Sequence, residues 1–176
     1  MVMADNMVYT NRMLDRWLKQ SIRGDRDALE NLYEAAAPAV YAYALSILQN
    51  HHSAEDVLQD CFMTLQSTGS SYTSQGKPMA FLMTITRNLC MKQFREQRRT
   101  VPLEEGYRYG LVSPNPEDRI LIENCLKVLS EEDRQIVILR VTACLKFHEI
   151  GKHMGLNPAT VRTKYRRALQ ALRSAL

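Results

Sequence analysis

The sequence predicts an all-α chain of two small helical domains joined by a flexible linker. Three observations predict it. Apolar residues recur at spacings of three and four in run after run, with no strand alternation and no internal repeat. Leu and Ala are frequent, while Gly (7) and Pro (6) are sparse over 176 residues. Residues 100–115 then break the periodicity with Pro102, Gly106, Gly110 and Pro114, which marks a linker. The expected division is 10–99, a linker over 100–115, and 116–176. Cores this small hold a few kcal/mol each and suit docking onto something larger.

The elements follow in order. Met13, Leu14, Trp17, Leu18 and Ile22 form one helical stripe, and Gly24 is placed to end it. Asp25 caps a second helix bearing Ala28, Leu29, Leu32 and Tyr33, and Pro38 suits the first turn of a third, with His51 and His52 in the turn after it. Ser53 to Asp56 resembles a capping box for a fourth helix. Its Val57, Leu58, Cys61, Phe62 and Leu65 point inward, and Asp56, Gln59, Asp60 and Met63 outward. Residues 67–77 read as a Ser/Thr/Gly-rich loop. Pro78 opens a long helix to Arg99, roughly 33 Å in length. One edge of it is apolar (Leu82, Ile85, Leu89, flanked by Phe81 and Phe94), and another carries Asn88, Lys92, Arg95 and Arg99. After the linker, Asn115-Pro116 starts a helix, and Ser130 caps another through Ile136, Val137, Leu139 and Val141.

The net charge of +4 says little alone; its distribution says more. Residues 159–176 carry Arg162, Lys164, Arg166, Arg167 and Arg173 and no acid, and residues 87–99 carry five cations against Glu96. Two basic faces fit a polyanion held at two places, or plain solvated surface. The four cysteines are widely spaced and read as small buried hydrophobes in a reducing compartment. No apolar run reaches membrane-spanning length and no signal-peptide core is present, so a cytoplasmic location is expected.

The segment from Lys146 to the end carries the clearest motif. Phe147, Ile150 and Met154 make the inner face of a short helix, and Gly155 sits where it must stop. Leu156 plugs the turn, Asn157 is a cap, and Pro158 a first helical residue. Val161, Tyr165, Ala168, Leu169 and Leu172 form the next apolar stripe, opposite Ala159, Arg162, Thr163, Arg166 and Gln170. This is a helix-turn-helix whose second helix can enter a major groove. The DNA-facing residues are Ala159, Thr160, Arg162, Thr163, Lys164, Arg166 and Arg167. Arg162, Thr163 and Arg166 would be base or near-base contacts, and Lys164, Arg167 and Arg173 would mainly meet phosphate.

His148-Glu149-Ile150-Gly151-Lys152-His153 resembles a zinc-protease signature, but the second His is five residues on, about 140° around a helix. Two exposed histidines are expected instead. With no nucleophile–base pairing, phosphate-cradling Gly loop or metal cluster, neither an enzyme nor a cofactor is expected.

These segments, in this order, resemble a bacterial sigma factor of the sigma-70 family, extracytoplasmic-function group, over nearly the whole chain. GDRDALENLYEAAAPAVYAYALSIL, AEDVLQDCF and MAFLMTITRNLCMKQFREQRR are similar to region 2; the stretch from Leu129 to Arg173 resembles region 4. The resemblance implies a transcription initiation factor that directs core RNA polymerase to promoters through minus-35 and minus-ten elements. Asp56, Gln59 and Asp60 would dock on the polymerase clamp coiled coil, although an acidic edge is also compatible with plain solvation. Tyr72 and Asn88 would capture an unpaired base of the minus-ten element, with Arg87, Lys92, Arg95 and Arg99 on the backbone; a ring can stack such a base and an amide can read its edge. The competing reading of Tyr72 is a loop tyrosine packed on its own domain. Region 4 would read minus-35 and touch the polymerase flap, and an anti-sigma protein is an implied partner. Phe81 stands where the family usually has Trp, and Gly151 and His148 where it commonly has Ala and an acid. The alternatives are a freestanding helix-turn-helix regulator, which would leave the long basic helix without a task, and a helical interaction protein with merely solvated basic faces.

Overall fold

The computed structural model describes residues 2–4, 7–67, 72–73, 76–97 and 127–175. A short antiparallel pair, β1 (Val2–Ala4) and β2 (Met7–Tyr9), precedes four helices: α1 (Asn11–Ile22), α2 (Arg26–Leu48), α3 (His51–Ser67) and α4 (Pro78–Gln97). Three more follow: α5 (Glu131–Val141), α6 (Phe147–Met154) and α7 (Pro158–Ala175). The β pair is an addition to the all-helical expectation. The linker, Arg99, Cys125 and the helix start at Asn115 lie outside the described residues.

In the N-terminal half, α2 is the central helix, packed by α1, α3 and α4. The Thr10 hydroxyl accepts from the Met13 N–H at the start of α1, and Asp25 from the Ala28 N–H at the start of α2. The break expected at Pro38 does not occur, because α2 runs through it. Proline there removes one ladder hydrogen bond and crowds the preceding turn, a cost of about 3 kcal/mol. Burial overrides it: Ala35, Ala36, Ala37, Ala39 and Val40 are almost wholly enclosed, and small side chains let the neighbouring helices approach. Gln49, in the left-handed region at φ 53°, ends the helix.

The start of α3 is also earlier than expected. Asn50 caps it by accepting from the Ser53 N–H at 2.8 Å, so His51 and His52 occupy the first turn instead of the connection. His51 Nδ1 lies 2.7 Å from the Tyr41 hydroxyl.

The C-terminal half packs α5 and α6 on α7. Ser130 caps α5, accepting from the Asp133 N–H. The two halves meet where α5 lies along α2 and α6 touches α4. Cys61 and Cys90 are fully buried, and burial pushes their thiols up to about 11 and about 12. Cys144 departs from the expected burial: it is half-buried at φ 54° in the turn after α5. Among the described residues no helix is long and apolar enough to cross a membrane.

Candidate nucleic-acid interface

The helix-turn-helix forms as its local chemistry dictates. Gly155 takes φ 72° and its N–H, with that of Leu156, caps the Gly151 carbonyl. Asn157 accepts from the Ala159 N–H at 2.9 Å, and Pro158 begins α7. Val161, Ala168 and Leu172 are buried against α5 and α6, while Ala159, Thr160, Arg162, Thr163, Arg166 and Arg167 are exposed. Gly151 is required by close approach: a Cβ there would lie 2.6 Å from the Leu156 carbonyl oxygen. The turn thus sits tight against α6, which gives this departure from the family pattern a physical reason.

The cations of α7 are not equivalent. The Lys164 ammonium sits 2.9 Å from Glu132 and 3.6 Å from Asp133 at the start of α5, and the Glu132 carboxylate holds its pKa above the ordinary value. Arg162 lies over the Phe147 ring, and the Thr163 hydroxyl donates to the Ala159 carbonyl. Arg166 shares a shallow groove with Leu169, Gln170 and Arg173.

The second basic face is on α4. Asn88, Lys92 and Arg95 line an open groove of about 410 Å³ with Thr64, Phe81, Thr84, Ile85 and Leu89. The Tyr72 ring packs on Phe81, centroids 4.6 Å apart, and its hydroxyl donates to the Asp15 carboxylate at 2.6 Å. The loop tyrosine therefore rests on its own domain, at the rim of this groove. Arg87 does not join the groove; its guanidinium donates to the His153 carbonyl of α6 at 3.1 Å. On α3, Asp56, Gln59 and Asp60 share an exposed edge with Met63, 67% exposed. Among the described residues, the one ion-pair approach to Asp56 is a long 3.9 Å from His52.

Sequence reasoning missed the residues that join the halves. Arg134, 4% exposed, donates from Nε to the Ser46 carbonyl at 3.0 Å. The fully buried Tyr43 places its hydroxyl 2.9 Å from His153 Nε2 and 3.5 Å from the Gln135 amide oxygen. Lys77 approaches Glu149 at 3.6 Å. The expectation of two exposed histidines thus fails for His153, because α6 turns that side chain into the joint; His148 is exposed. Burial and the nearby Arg87 cation hold the His153 imidazole down at about 4. The one available signal was an arginine and a glutamine at positions 134 and 135, inside an otherwise apolar face.

A two-half helical chain with a basic, aromatic-rimmed groove and a helix-turn-helix defines a DNA-binding factor. Residues 32–100 match Sigma-70 region 2, and residues 119–172 match Sigma-70, region 4. The chain belongs to the sigma-70 family, in its extracytoplasmic-function group, and is a promoter-specific transcription initiation factor with no enzymatic activity of its own. It is 25% identical to the ECF RNA polymerase sigma factor SigK of Mycobacterium ulcerans (strain Agy99) and 23% to that of Mycobacterium bovis (strain BCG / Pasteur 1173P2), each match covering 93% of both chains. Among solved structures, its fold is similar to CnrH in complex with the cytosolic domain of CnrY (TM-score 0.65, 19% identity, 93% of this chain and 96% of that one). It is also similar to the sigma factor RpoE in complex with the anti-sigma factor NepR from Bartonella quintana (TM-score 0.61, 20% identity, 82% and 94%).

Proposed function

We propose that residues 10–99 grip the minus-ten element and the polymerase clamp, that 100–115 connect the halves, and that 116–176 grip the minus-35 element. The observation that carries this is the clustering of Asn88, Lys92 and Arg95 along one groove whose rim holds Tyr72 on Phe81. An unpaired base stacks on the aromatic rim, the Asn88 amide reads its edge, and Lys92 and Arg95 hold the backbone with Arg99 beside them, while Arg87 is held outside the groove by the His153 carbonyl. Arg162 and Arg166 read minus-35 base edges from α7, flanked by Ala159, Thr160 and Thr163, while Arg167 faces phosphate and Lys164 beside it stays held by Glu132 and Asp133. The acidic edge of Asp56, Gln59 and Asp60 docks on the clamp coiled coil, the apolar surface of the C-terminal half meets the flap, and the chain works in the cytoplasm. The solved structure of RpoE with the anti-sigma factor NepR supports an anti-sigma partner of this chain as well.

Reconstitution with core polymerase and run-off transcription on genomic fragments tests the whole reading; absence of polymerase binding rejects it. Permanganate footprinting tests the groove. Asn88→Ala leaves closed-complex formation largely intact and impairs strand opening, and normal melting in that variant removes Asn88 from the role. Arg162→Ala and Arg166→Ala each cost about 1–3 kcal/mol at the base they read.

A further inference from the structure

We infer that Phe147 is a positioning residue for minus-35 recognition: its ring holds the flat face of the Arg162 guanidinium and leaves the hydrogen-bonding edge toward DNA. The inference rests on Arg162 being a base contact, and goes beyond that reading by naming what orients it.

Phe147 opens α6, and its half-buried ring packs on Tyr165 of α7 with centroids 5.5 Å apart. That contact fixes the ring across the turn of the motif. The Arg162 guanidinium carbon lies 5.7 Å from the ring centroid and that of Arg140 lies 5.1 Å away. Arg140 is tied by donating to the Leu145 carbonyl at 3.0 Å. Arg162 is exposed and, among the described residues, its guanidinium makes no hydrogen bond or ion pair. The ring is therefore its one described anchor.

The chemistry suits readout. A guanidinium is planar and carries its five N–H donors in that plane. Attraction to an aromatic ring uses the face and consumes none of those donors. The in-plane fork remains available for the O6 and N7 acceptors of a guanine. An unsupported arginine loses substantial rotamer freedom when it docks; one already resting on a ring loses less. An aliphatic residue at position 147 would fill the same space without this attraction.

The test uses the full chain assembled with core polymerase and a panel of promoters altered one base pair at a time in the minus-35 element. Phe147→Leu lowers discrimination at the base pair read by Arg162 by about two- to fivefold and leaves binding to nonspecific duplex unchanged, whereas Phe147→Tyr retains discrimination. Combined with Arg162→Ala, Phe147→Leu adds little further loss. In the unaltered full chain, the Arg162 side-chain protons are shifted upfield by the ring current, a reading that needs no variant. Full discrimination in Phe147→Leu, an even loss at every base pair, losses that simply add, or unshifted Arg162 protons each overturn the inference. An unchanged promoter profile in Arg162→Ala overturns the reading beneath it.

Discussion

The Tyr43 hydroxyl lies 2.9 Å from Nε2 of His153, joining residues 110 positions apart and belonging to different halves of the chain. Burial pushes the Tyr43 phenol above its ordinary range, so it stays protonated, and holds His153 neutral. The Arg87 cation faces the same imidazole and opposes its protonation. The joint is built for a neutral histidine.

A pH dependence follows. His153 has its packed-state pKa depressed from 6.5 to about 4. Its contribution is fully present above pH 6.5 and is lost as pH falls from there toward 4, because only the separated or unfolded form takes up the proton. The slope from this one group is at most about 1.4 kcal/mol per pH unit. Small-angle scattering and thermal unfolding between pH 7.5 and 4.5 should show the wild-type halves loosening more steeply than those of His153→Gln. Parallel curves would remove His153 from the joint.

Arg134 is the buried charge of the same joint. Arg134→Ala leaves the Ser46 carbonyl without its guanidinium partner in a site closed to solvent, at a cost of about 1–3 kcal/mol. Loss of the packed stem adds to that. The expected result is a larger radius of gyration and a lower thermal midpoint, with each half retaining its helix content by circular dichroism. An unchanged radius would mean that α5 needs no such anchor on α2.

Gly151→Ala runs against helix propensity, which alone favours Ala by about 1 kcal/mol. The new methyl would meet backbone, the Leu156 carbonyl oxygen, at 2.6 Å. Overpacking of this kind costs about 1–3 kcal/mol, so a lower urea midpoint is expected despite the better helix former. A raised midpoint would show that the turn yields at no cost.

Lys164 and Arg167 should separate in DNA binding. Arg167 is exposed, while Lys164 spans Glu132 and Asp133. Arg167→Ala is expected to reduce the slope of log affinity against log salt by about 0.9, the signature of one phosphate contact. Lys164→Ala is expected to change that slope less and to cost under about 1 kcal/mol of stability, since its ion pairs are partly exposed. Equal slope changes would place Lys164 on phosphate as well.

What was legible in the sequence was local. Gly155, Asn157 and Pro158 each act within one turn of the chain, so the helix-turn-helix was readable residue by residue. So was the stripe of Asn88, Lys92 and Arg95, a matter of helical spacing. Pro38 misled because its local cost is overridden by neighbours that no local pattern names. Tyr72 offered two readings, and its packing on Phe81 and Asp15 depends on α1, distant in the chain. The joint of Tyr43, Arg134 and His153 was illegible for the same reason: each lies in a run that already had a sufficient explanation as helix.

That joint gains strength from connectivity. Two modules on one chain meet at an effective concentration on the order of millimolar. Contacts too weak to hold the separated halves together in dilute solution can therefore keep them together here. Any ligand that needs the halves apart must overcome that intramolecular concentration as well as the contacts, and cutting the chain between α4 and α5 would release the restraint without altering any side chain of the joint.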